Sequence, residues 1–98
     1  MGKRKIIVKQ SAAKSVASIA WYIESKGMIA TAEKFSNDVY DFLIKISDDM
    51  RSFSRCLDFN RAAMGYKCIS YRKKYTIVFI ETETELTICE FISSKLIR

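Results

Sequence analysis

The sequence predicts an α+β domain in the order β-α-α-β-β-β, and three observations predict it. A short β-branched run opens the chain, and two stretches with apolar residues three and four apart follow it. The last third then breaks into runs rich in Tyr, Ile, Val, Thr, Phe and Cys, separated by short polar turns. Neither a helical pair nor a small sheet can bury its apolar side alone, so the helices must cover one face of the sheet. The 98 residues fit one domain spanning 1–98. A domain of that size hides only about 60–65% of the surface its unfolded chain exposes, so its core is modest.

The elements follow in order. Lys5-Ile6-Ile7-Val8-Lys9 is the first strand. Ser11 is placed as the N-cap of a helix whose apolar face carries Ala12, Val16, Ile19, Ala20 and Ile23. Trp21 and Tyr22 sit beside that stripe and read as packing residues, and Gly27 should end the helix in a left-handed conformation. A second helix opens between Met28 and Thr31, with Ala32, Phe35, Val39, Phe42, Leu43 and Ile46 on its apolar face. The two form an antiparallel hairpin. From Asp48 to Ser52 the chain reads as a turn, and the stretch to Ala63, with Arg55 and Arg61, as loop or a short helical piece.

Tyr66–Tyr71, Tyr75–Glu81 and Leu86–Ile92 are the remaining strands, a three-stranded antiparallel meander. Arg72-Lys73-Lys74 joins the first two, and the acidic cluster Glu81, Glu83 and Glu85 reads as a charged turn between the last two. The first strand should join this antiparallel sheet beside the last strand or its neighbour. The expected core is Ile7, Val16, Ile19, Ile23, Phe35, Val39, Phe42, Ile77, Phe79, Ile88 and Phe91.

Composition narrows the chemistry. No stretch approaches the ~20 apolar residues of a membrane span, and the apolar run after the basic start is too short for a signal peptide. Cys56, Cys68 and Cys89 are odd in number and widely spaced, which argues against a disulfide framework or a zinc site and for free thiols in the cytoplasm. With no histidine, a Ser-His-Asp triad and a Cys-His pair are excluded together. No metal or organic cofactor is implied, nor a small-molecule substrate. A net charge of +6 suits an acidic partner, either nucleic acid or protein.

Four phrases carry a family resemblance. They are Lys9-Gln10-Ser11-Ala12-Ala13 at the entry to the first helix, Ile19-Ala20-Trp21-Tyr22-Ile23-Glu24 at its end, and Ala32-Glu33-Lys34-Phe35 opening the second. The fourth runs through the first hairpin, from Tyr66-Lys67-Cys68 through Tyr71-Arg72 to Tyr75-Thr76-Ile77-Val78-Phe79. In this order they resemble the RelE/ParE superfamily of toxins. The resemblance implies a growth-inhibiting toxin held silent by a cognate antitoxin, whose C-terminal segment wraps it as a helix in a groove or an added strand.

Two branches of that superfamily are weighed. RelE-like members cleave messenger RNA on the ribosome, which needs cations around the scissile phosphate and an acid or base near the C-terminal end. Arg55, Arg61, Lys67, Arg72 and Lys95 supply cations, but Ser93 stands where relatives often place a histidine. Tyr71 and Tyr75, with ordinary pKa values near 10, are poor bases. ParE-like members poison DNA gyrase through a contact surface, and the chain resembles this branch better. Arg55, Arg61, Lys67 and Lys95 are the candidate target or antitoxin contacts. A plain nucleic-acid-binding module, or an inactive domain of the same fold, are the remaining readings.

Overall fold

The computed structural model describes residues 4–48, 53–57 and 59–94. Its elements are β1 (Lys5–Val8), α1 (Gln10–Ser25), α2 (Ile29–Asp48), α3 (Phe59–Ala63), β2 (Lys67–Tyr71), β3 (Tyr75–Glu81) and β4 (Glu85–Ser93). The chain is α+β, with two long helices on a four-stranded sheet of order β1-β4-β3-β2. β2–β3 and β3–β4 pair antiparallel, whereas β1 runs parallel to β4, from Lys5 opposite Glu85 to Val8 opposite Ile88. The sheet is therefore mixed, which corrects the expected all-antiparallel one. The outer edge of β2 is partly taken by residues 54–56, and β1 lies on the free edge of β4. Running parallel, it delivers Lys9 to the middle of β4, where the Lys9 N–H donates to the Ile88 carbonyl at 2.9 Å and α1 begins.

Strand β4 contains a bulge. Val78 opposes Glu90 and Phe79 opposes Ile88, so Cys89 has no partner on β3. This shift lets Ile88 and Phe91, three residues apart, both face the helices, which strict alternation forbids. The carbonyl of Cys89 accepts a 2.7 Å hydrogen bond from the Ser11 hydroxyl. Ser11 thus does not cap α1. The N-cap is Lys9, with no side-chain bond to the helix, and the serine satisfies the bulge instead. At the other end of α1, Gly27 has φ +84°, and its N–H reaches the Glu24 carbonyl at 2.9 Å.

The helix-facing side of the sheet holds the core: Leu86, Ile88 and Phe91 on β4, Ile77 and Phe79 on β3, and Tyr71 on β2, against Ala12, Val16, Val39, Leu43 and Ile46. Its aromatic rings form a chain. Phe42 lies 5.0 Å from Tyr71, Tyr71 6.0 Å from Phe91, Phe91 5.0 Å from Tyr75, and Phe35 meets both Tyr75 and Phe91 edge-on. Ile7 is a correction: Ile6 and Val8 pack on the core, and Ile7, opposite Thr87, faces away. Ile23, near the end of α1, is half-buried and lies outside the core cluster. Trp21 and Tyr22 are corrected too, because both are exposed, with the Lys26 ammonium 4.9 Å from the Tyr22 ring. No helix among the described residues is long and apolar enough to cross a membrane.

Candidate functional site

Residues 53–57 lie along the outer edge of β2. Phe53 tucks its ring edge-on against Phe79 at 5.4 Å, which anchors the segment to the core. Arg55 then bridges antiparallel to Lys67. The Cys56 N–H donates to the Tyr66 carbonyl and the Cys68 N–H to the Ser54 carbonyl, both at 3.2 Å. As directly opposed residues, Arg55 and Lys67 leave the sheet on the same side, so two candidate cations meet at one edge.

Like charges in that position repel, and the fold answers with Glu81. Its carboxylate lies 4.0 Å from the Lys67 ammonium and accepts a 2.6 Å hydrogen bond from Arg4 Nη1. It also accepts the Phe53 N–H at 3.4 Å. Glu81 is therefore the end of β3 and a buried anchor, not part of a solvated turn. Side-chain exposures of 6% for Arg4 and 10% for Glu81 place this pair inside the fold. Arg55 is exposed and, among the described residues, has no carboxylate partner.

Beside this edge runs a shallow groove lined by Ser54, Arg55, Leu57, Cys68, Ile69, Ser70 and Thr76. Leu57 on its rim is 96% exposed, and Phe59 just beyond is 82% exposed. Large apolar side chains standing free beside cations suit a partner that is both apolar and acidic.

The other candidates lie elsewhere. Arg61 projects from α3 to the far face of the sheet, where Nη2 and Nε donate to Glu90 at 2.8 and 3.1 Å. It is held by that carboxylate and does not join Arg55 and Lys67. Lys95 lies outside the described residues. Arg72 at the β2–β3 turn donates to Asp38 at 2.8 Å and lies over the Tyr71 ring. That arginine, with Lys34, holds the Asp38 carboxyl below its usual range.

Proton-transfer groups are scarce. Tyr71 is buried in the aromatic chain, and burial pushes its hydroxyl above the ordinary phenol value, the wrong direction for a base. Ser93 ends β4 opposite Tyr75. No cluster of metal-ligating side chains occurs among the described residues.

The cysteines depart from expectation. Cys56 and Cys68 form a disulfide, with Cα atoms 4.7 Å apart, and only Cys89 is a free, buried thiol. The odd count concealed the pair because the third cysteine belongs to the β4 bulge. The sequence reading also missed Leu57 and Phe59, which sit in a stretch without periodicity; two large apolar residues in a supposed loop were the available signal. The chain matches no protein-family model, and no curated protein matches it.

Proposed function

We propose that the chain is a ParE-like toxin of a toxin–antitoxin pair, acting by binding an essential target, with DNA gyrase favoured, and neutralised by a cognate antitoxin. One observation carries the reading: an exposed edge where Arg55 and Lys67 stand opposed, with the free side chain of Leu57 on its rim and Phe59 two residues further along the chain, and with no proton-transfer group among the described lining residues. Such an edge is suited to recognition rather than turnover. The order of elements, with the helical hairpin between β1 and β2, supports the superfamily resemblance. Arg55 and Lys67 are the contacts proposed first, with Arg61 held back by Glu90 and Lys95 retained from the sequence alone.

A RelE-like ribosome-dependent nuclease is the second reading, and the adjacent Arg55 and Lys67 favour it, because paired cations suit a phosphate. Induced expression in a bacterium separates the two. Growth arrest with intact message, DNA breaks and a DNA-damage response is the expected result. Arrest with rapid message cleavage selects the nuclease. Unimpaired growth of cells containing soluble, folded protein overturns both.

A further inference from the structure

The far face of the sheet carries a feature that the proposed function does not use. Cys68, Val78 and Glu90 form one row across β2, β3 and β4, Cys68 opposite Val78 and Val78 opposite Glu90. Both ends of that row are tied to the segment between α2 and β2. Cys68 is bonded to Cys56, and Glu90 accepts two hydrogen bonds from Arg61. Val78, between the ties, is fully buried, whereas Thr76 and Ile80 on the same face keep partial exposure. The segment therefore acts as a strap, described over residues 53–57 and 59–66, fixed on either side of Val78.

The strap has little else to hold it. α3 has five residues and none of them is buried, and an isolated helix in water needs roughly 12–15 to persist. Leu57, Phe59 and Met64 point into solvent. Its beginning is secured by the Cys68 N–H to the Ser54 carbonyl, the Phe53 N–H to Glu81 and the Phe53 ring. The Arg61–Glu90 pair is bidentate but partly exposed, so water and salt screen it. The disulfide, closing a sequence separation of 12, is the strong one.

We propose that Cys56 and Cys68 form a redox switch, whose reduction frees the strap from the sheet and uncovers Val78. The step needs a dithiol reductant. One of its thiolates attacks a sulfur of the Cys56–Cys68 bond, which breaks to give a mixed disulfide and one protein thiolate. The reductant's second thiolate then displaces the remaining protein sulfur. Two electrons and two protons end on Cys56 and Cys68, and the reductant leaves as its own disulfide. A disulfide oxidant reverses the step. Cys89 takes no part, being buried within the bulge on β4.

Hydrogen exchange read by mass spectrometry on the full chain tests this, comparing the oxidised protein with the same protein in dithiothreitol. The expected result is exchange faster by on the order of tenfold or more over residues 53–57 and 59–66 and at the centre of β3, with α1, α2 and β1 unchanged. Reoxidation restores protection. Arg61→Ala accelerates exchange further in the reduced protein and little in the oxidised one. Equal exchange in both states overturns the proposal, since the strap is then held by packing. Loss of protection throughout the chain on reduction also overturns it, making the disulfide a structural cross-link. So does thiol titration that finds three free cysteines after treatment with a disulfide oxidant. All three readouts are independent of whether the chain is a toxin.

Discussion

The two faces of the sheet are built on different principles. The helix-facing side is closed by a continuous packing of aromatic and aliphatic side chains from six elements. The far side is crossed by a segment tied down by a disulfide and an ion pair, whose α3 buries none of its residues. Phe79 and Val78 are neighbours in β3, both without exposed surface, and they point to opposite faces. Burial alone does not distinguish them; what covers them does. The first face depends on volume and shape, the second on chemistry that solvent can reverse.

Phe79→Ala is the hardest test of that contrast. It removes a ring from the face where nothing can collapse cheaply, and should cost about 3–5 kcal/mol in urea unfolding. Glu81→Ala comes next, leaving the buried guanidinium of Arg4 without its carboxylate, at about 3–4 kcal/mol. Either loss is a large fraction of the stability of a domain this small, about 5–15 kcal/mol. Val78→Ala should cost only about 2 kcal/mol, because the strap can settle into the space. A loss equal to that of Phe79→Ala would show the two faces to be equivalent.

Smaller effects lie in the β2–β3 turn, outside both faces. Arg72 and Lys73 both have positive φ, 53° and 60°, as a tight hairpin of this hand requires, and neither residue type favours it. Lys73→Gly should therefore raise stability by about 1 kcal/mol in the same unfolding experiment. The smallest effect concerns pH. The Asp38 carboxyl is held below its ordinary value by Arg72 and then Lys34. Its contribution is complete above the unfolded value and disappears as pH falls through the folded one, so it acts below about pH 4. Arg72→Ala should reduce the loss of stability between pH 5 and pH 3, measured as the shift in urea midpoint.

Periodicity made the elements legible. Spacings of three and four located both long helices, and the run Tyr75–Glu81 matches β3 residue for residue. Parity was harder. In Ile6-Ile7-Val8 every residue is apolar, so only pairing with Leu86 and Ile88 decides which two face the helices. The parallel direction of β1 follows from the free edge of β4, which no local pattern records. The site was half legible. Arg55 and Lys67 were candidates as single cations, but their adjacency depends on a short pairing of residues 54–56 that shows no alternation. Glu81 looked like one of three turn acids, because the chain gives no local sign that Arg4 returns to meet it.

The pairing of β1 with β4 also has a consequence for how the molecule is made. Lys5 emerges from the ribosome well before its partner Glu85. At roughly 5–20 residues per second, several seconds separate the completion of α2 from that of β4. During that interval the nascent chain carries a helical hairpin whose apolar stripe has no sheet to rest on. A first strand waits beside it, unpaired. Productive synthesis thus depends on shielding the exposed apolar stripe until β4 arrives.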